Sequence, residues 1–141
     1  MSELTVGGFL AALGERTPAP ASGAATAVTA AFAAALVELA ARFADDEETV
    51  VRAKTLWSRL AELADEDSEA YTAFMADRND ETRARIVAVP EEIAACADEV
   101  AELAERVRGR LRTSVVGDAD AAAELARAAA RVARRLAELN V

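Results

Sequence analysis

Few residues in this chain can move a proton. There is no histidine, which removes the commonest general base and the commonest metal ligand. A Cys/His zinc site is thereby excluded, as are Ser-His-Asp and Cys-His arrangements, and no metal site is expected. Acid–base work falls to carboxylates, to Tyr71 or to Lys54, the one lysine. The single cysteine, Cys96, allows no intramolecular disulfide and reads as a small buried hydrophobe on an apolar helix stripe.

Asp67 stands out among the carboxylates. The row Leu56, Leu60, Leu63, Asp67, Tyr71, Phe74 advances by four, three, four, four and three residues, the period of one helix face. Asp67 occupies a place in that row where an apolar side chain belongs. A carboxylate facing a bundle core is costly unless it is paired, hydrogen-bonded or turned to a cavity. Desolvation there raises its pKa toward the range useful to a general acid or base. The same spacing is met if the row drifts and Asp67 lies at its edge, in a salt bridge to an arginine. Asp65, Glu66 and Glu69 flank it and are expected in solvent.

A second candidate is the loop Thr17-Pro18-Ala19-Pro20-Ala21-Ser22-Gly23, which runs into a helix. Free N–H groups at a helix N-terminus favour an anion or a polarised carbonyl, and glycine lets a ligand come close to the backbone. A plain helix-start loop has the same composition. Arg106, Arg108, Arg110 and Arg112 form the densest basic run. At a spacing of two they spread around a helix instead of making one face.

The elements that must position these groups are helices. Hydrophobic residues make up 53%, many of them alanine, and aromatics only 4%. That favours helix and leaves sheets little to build from. Leu4, Phe9, Leu10 and Leu13 outline a short first helix, ending near Gly14. A second runs from Ser22 or Gly23 to about Ala44, with a stripe of Val28, Phe32, Leu36, Leu39 and Phe43 and alanine on its other faces. A third covers about 48–76. The 78–89 segment is polar, with room for a short helix, and Pro90 suits the first turn of a fourth helix. That helix carries Ile93, Cys96, Val100, Leu103, Val107 and Leu111. Gly117 breaks the chain and Asp118 is a fair N-cap for a last helix with Leu125, Ala129, Val132, Leu136 and Leu139. The 141 residues fit one domain, 1–141: an all-α antiparallel bundle of about five helices.

The net charge of −9 argues against nucleic acid and anionic membranes as partners. Residues 17–37 carry no charge and are long enough to span a bilayer. Alanine and threonine gain little from lipid, so this stretch reads as a buried helix of a soluble protein. The start of the chain carries Glu3 and two glycines instead of a basic, apolar leader, so the expected location is cytoplasmic.

Three blocks together resemble the cyclodeaminase/cyclohydrolase family. That family includes the cyclodeaminase domain of formiminotransferase-cyclodeaminase and bacterial methenyltetrahydrofolate cyclohydrolases. Phe9-Leu10 followed by Thr17-Pro18-Ala19-Pro20 and a long alanine helix is similar to its T-P-x-P-G-G-G-S-A-A-A signature. Asp65-Glu66-Asp67-Ser68-Glu69-Ala70-Tyr71 resembles its D-x-D-x-x-A-F/Y segment. Gly117, Asp118, Ala122, Leu125, Ala126 and Ala129, with Asn140-Val141, look like its last helix and ending. The resemblance implies a helical homodimer acting on a tetrahydrofolate-bound one-carbon unit, with no bound cofactor. It would hydrolyse a methenyl bridge or deaminate a formimino group. Asp67 would be the acid–base group with Asp65 as its partner. Thr17, Pro20, Ser22, Gly23, Tyr71 and Asp118 would bind substrate.

The chain departs from the family pattern in several places, among them a loop before the last helix shortened to Ser114-Val115-Val116-Gly117 and a shorter overall length. The glycine triplet is reduced to Ala21-Ser22-Gly23, and the usual lysine-rich segment after the long helix reads Asp45-Asp46-Glu47-Glu48, which would repel an anionic glutamyl tail. Recruitment to another cyclisation or imine chemistry, or a non-catalytic helical dimer, fits these departures.

Overall fold

Long alanine-rich stretches interrupted by short polar links give long helices that must fold back on one another. The computed structural model describes residues 4–141. It contains α1 (Val6–Leu13), α2 (Ser22–Phe43), α3 (Glu47–Ala76), α4 (Asp80–Arg108), a 3-10 turn (Thr113–Val115) and α5 (Val116–Asn140). The described residues form no strand. The four long helices make the bundle, and α2 packs against α3, α4 and α5.

Side-chain caps set two of the turns. Asp46 accepts the Thr49 N–H at 3.1 Å and starts α3. Asn79 and Thr82 form a reciprocal capping box at the start of α4. That box corrects the sequence expectation for Pro90. Residues 80–89 are helical, and Pro90 lies inside α4 instead of in its first turn. A proline there cannot donate to the carbonyl four residues back. The freed carbonyl is that of Ile86, and the Asn140 side-chain amide donates to it at 2.8 Å. Asp118 also differs from expectation. Helix α5 begins at Val116 with no side-chain cap, and Asp118 sits in its first turn, where a carboxylate suits the positive end of the helix.

The rows on α3 and α4 face inward as their spacing requires: Leu56, Leu60, Leu63, Ile93 and Val100 are buried. The inner helix faces of α2 and α5 do not follow their largest side chains. In α2 the alanine face is inside: Ala27, Ala30, Ala33, Ala34 and Ala40 are fully buried, while Phe32 is 54% and Phe43 61% exposed. In α5, Ala122, Ala126, Ala130 and Ala133 are buried, while Leu125, Val132 and Leu139 are exposed. With small residues at the contact, helix axes can approach at the short end of the usual range. Helix α2 is long and apolar enough to cross a membrane, with a mean hydropathy of 1.8, but half of that window is buried in the bundle.

Enlarging the inner face should cost more than trimming the outer one. Ala126→Leu is expected to destabilise the fold by about 1–3 kcal/mol through overpacking. Val132→Ala, on the exposed side of the same helix, should stay within about 0.5 kcal/mol of the parent. Urea unfolding of both variants checks this; equal costs would mean that the two faces are wrongly assigned.

Candidate functional site

The apolar row of α3 brings Asp67 and Tyr71 to one wall of a cavity of about 280 Å³ at the end of the bundle where α2 begins. Ser22, Gly23 and the preceding Pro18 and Ala19 form a second wall. Ile86 and Pro90 of α4 and the end of α5, including Asn140, close it. The volume lies near the small end of ligand sites.

Asp67 is half-buried, and burial pushes its carboxyl above the ordinary carboxylate range. Loss of water is the sole cause of that shift. No arginine is spent on it, because its neighbours hold them. Arg59 donates to Glu66 at 3.1 Å and to Glu92 at 2.6 Å, and Arg85 lies 3.5 Å from Glu69. Of the three flanking acids expected in solvent, Glu69 is exposed, whereas Asp65 and Glu66 are half-buried; Glu66 and Glu69 both sit in ion pairs. The salt-bridged, edge-of-row alternative for Asp67 does not hold.

The first turn of α2 lies directly against this carboxylate. A Cβ built on Gly23 would be 2.1 Å from Asp67 Oδ2, so any larger residue must displace the acid. Of the three positions where the family shows glycine, the one retained here is the one with no room for a side chain. Ala21 supplies no side-chain cap to α2, which leaves the early N–H groups of the helix without intrahelical partners.

The structure places the other expected residues as follows. Ser22, Gly23 and Tyr71 line the cavity with Asp67. Thr17 lies in the exposed loop, its hydroxyl donating to the Ala19 carbonyl at 3.4 Å. Pro20 and Asp65 line a neighbouring recess with Phe9 and Ser68. Asp65 and Asp67 point apart, as residues two apart on a helix must. Asp118 is a correction: it lies at the start of α5, whereas the cavity takes its lining from the end of that helix. About 33 Å of helix separates Asp118 from Asn140. The acidic 45–48 segment follows the C-terminal end of the 22-residue α2, about 33 Å along that helix from the cavity.

Neither helical periodicity nor residue type marks Asn140 or Pro90 as a site residue. Pro90 frees the Ile86 carbonyl, Asn140 Nδ2 satisfies it, and all three residues line the cavity. With the amide nitrogen so engaged, Asn140 Oδ1 remains an acceptor. A proline within a helical period was the one signal in the sequence that a carbonyl would need an outside donor. No group of three or more His, Cys, Asp or Glu among the described residues could hold a metal.

With no histidine in the chain, the desolvated carboxylate of Asp67 is a group at this cavity with the chemistry to exchange a proton. Comparison with known proteins supplies the family. The formiminotransferase-cyclodeaminase family profile matches residues 5–141, and the chain belongs to that family. The crystal structure of formiminotetrahydrofolate cyclodeaminase from Thermotoga maritima superposes with a TM-score of 0.93 at 23% identity. The match covers 99% of this chain and 79% of that one, so the fold is shared. Among curated proteins, none matches the chain by sequence.

The raised carboxyl of Asp67 makes a thermodynamic prediction. A folded-state pKa above the unfolded value means that the native protein holds the proton more tightly, so stability falls as pH rises through that interval. Asp67→Asn is therefore expected to stabilise the fold at pH 7.5, where the parent must hold an ionised carboxylate out of water. The gain should vanish below the ordinary carboxylate range, where the acid is neutral in both states. Thermal unfolding from pH 3 to 8 measures it; a variant less stable than the parent at pH 7.5 would contradict the desolvated placement.

Proposed function

We propose that this protein is a folate one-carbon enzyme. It hydrolyses methenyltetrahydrofolate or deaminates formiminotetrahydrofolate, with Asp67 as the acid–base group. The observation that carries the reading is the position of Asp67 in the cavity: desolvated, without a basic partner and against Gly23. Family membership supplies the substrate class.

Both reactions pass through an amidinium-like carbon between two nitrogens. In hydrolysis, water adds to that carbon, one C–N bond breaks and the released nitrogen takes up a proton, leaving a formyl group. In deamination, a ring-forming nitrogen of the same molecule attacks the formimino carbon and ammonia leaves with an added proton. Each needs a group that accepts a proton from the attacking atom and delivers one to the departing nitrogen. A carboxyl raised by burial suits that exchange better than an ordinary one. Its ionised form also offsets the positive charge of the amidinium. Asn140 Oδ1 and the hydroxyls of Tyr71 and Ser22 are further cavity groups able to orient N–H-bearing substrate edges. No step requires a metal or a bound cofactor.

The acidic segment at 45–48 favoured a different, less anionic substrate. Its distance from the cavity along α2 removes that argument within one chain. We place the protein in the cytoplasm, with no nucleic acid or membrane partner, in keeping with its charge of −9.

We further propose a homodimer through the outer face of α2. Phe32, Leu39 and Phe43 are 54, 40 and 61% exposed there, and their spacing of seven and four puts them on one face of the helix. Apolar rows of this kind are covered by a partner in stable proteins, and a second copy presents the same row for a two-fold contact.

Absorbance of methenyltetrahydrofolate gives the direct test. Decay faster than in buffer, reduced by roughly 10²-fold or more in Asp67→Asn, is expected; an active Asp67→Asn variant would remove Asp67 from the mechanism. Light scattering at micromolar concentration should give twice the 14.8 kDa chain mass and the monomer mass for Phe32→Glu. A monomeric parent protein would refute the interface.

A further inference from the structure

The chain carries 25 acidic and 16 basic residues, and most arginines of α3, α4 and α5 sit in ion pairs. Two beside the cavity do not. Arg78 and Arg83 both lie over the ring of Phe74, at 5.3 and 5.1 Å from its centroid. Neither is within ion-pair distance of a described carboxylate, although Arg85 in the same turn as Arg83 bridges to Glu69.

Their position relative to Asp67 is set by α3. Asp67, Tyr71 and Phe74 follow one another on the same helix face, and seven residues of helix from Asp67 to Phe74 span about 10 Å. Arg83 Nη1 also donates to the backbone carbonyl of Asn140 at 3.4 Å, and Asn140 lines the cavity. The guanidinium of Arg83 is thus tied to a residue that lines the cavity, while Arg83 itself lines a separate recess with Asp80 and Glu91.

We infer that Arg78 and Arg83, held on Phe74, form a subsite for a carboxylate-bearing tail of the ligand whose reacting head sits at Asp67. This rests on the reading of the Asp67 cavity as the reaction site. A guanidinium stacked on an aromatic ring uses its face and leaves N–H edges for an anion; each of these spends one nitrogen elsewhere, Arg83 Nη1 on the Asn140 carbonyl and Arg78 Nη2 on Met75 Sδ at 3.6 Å, and keeps its remaining N–H groups. Both arginines are exposed, so that binding an anion uncovers nothing. The nearby acids have other work. Asp77 accepts from the Asn79 side chain at 3.2 Å, and Asp80 and Glu81 occupy the first turn of α4, where they offset its dipole. The site thus reads charge at two ends: a carboxylate for an amidinium head, and two guanidiniums about 10 Å further along α3 for an anionic tail. A ligand with a cationic head, a flat spacer of that length and a terminal carboxylate satisfies both ends.

The test compares methenyltetrahydrofolate with its pteroate analogue, which lacks the glutamyl carboxylates. The parent protein, Arg78→Gln, Arg83→Gln and the double variant are assayed, with Arg112→Gln at the other end of the bundle as a control for net charge. The double variant should raise KM for the glutamylated substrate roughly tenfold or more, leave its kcat within about twofold, and leave KM for the pteroate unchanged. Arg112→Gln should change neither. Equal losses for both substrates, or none for either, overturn the proposal.

Binding of p-aminobenzoylglutamate, followed by NMR, reads the subsite without turnover. Binding lost in the double variant but kept in Asp67→Asn supports the subsite even if no folate is turned over, in which case the proposed reaction alone fails. Turnover that is indifferent to the tail and to both arginines leaves the reaction standing and removes the subsite. Absence of p-aminobenzoylglutamate binding up to about 10 mM also removes it.

Discussion

The contact between the Asp67 carboxylate and the first turn of α2 governs how the end of the bundle is built. With 2.1 Å between a Cβ at residue 23 and the acid, only glycine lets the Asp67 carboxylate lie where it does against the start of α2. A side chain there would push the helix start or the carboxylate outward and open the cavity to water. Water would return the carboxyl toward its ordinary pKa. Close approach and perturbed acidity are thus one feature: the glycine that admits the helix also dries the acid. The arrangement costs stability, because an ionisable group is held out of water without a cation to repay it. Ion pairs on Glu66 and Glu69 keep the neighbouring arginines occupied elsewhere.

Alanine makes the same economy possible along the whole bundle. Helices α2 and α5 present alanines to the core and carry their large apolar residues outside. Each buried alanine contributes less transfer energy than a leucine would, but small side chains let helices pack closely over a long contact. The displaced bulk does not vanish. It forms the outer row of Phe32, Leu39 and Phe43 on α2.

Pro90 and Asn140 show how the far wall of the cavity is held. A proline in the middle of a long helix leaves one carbonyl without a donor. A buried orphan carbonyl costs about 1–3 kcal/mol, so the end of α5 is drawn in to supply the missing N–H. The same chain end accepts from Arg83, which ties the cavity wall to the guanidinium pair on Phe74. A backbone defect in α4 thereby anchors the last turn of α5 beside the acid.

Helix content, the number of long helices, the α3 row and the displaced polarity of Asp67 were all legible in the sequence. Each depends on local propensity and on a period of about 3.6 residues. The absence of histidine limited acid–base chemistry to carboxylates, Tyr71 and Lys54 before any fold was known. Periodicity could not say which face of α2 or α5 turns inward, because both faces are apolar and burial is a property of the partner helix as much as of the residue. Nor could it carry Pro90 into the middle of α4, since the capping box that starts that helix ten residues earlier is a local signal weaker than proline's. The meeting of Arg83 with Asn140, 57 residues apart, and the separation of Asp118 from Asp67 were decided only when antiparallel helices chose their ends. Sequence spacing measures distance along a helix; which ends share a cavity is set by the packing of one helix against another.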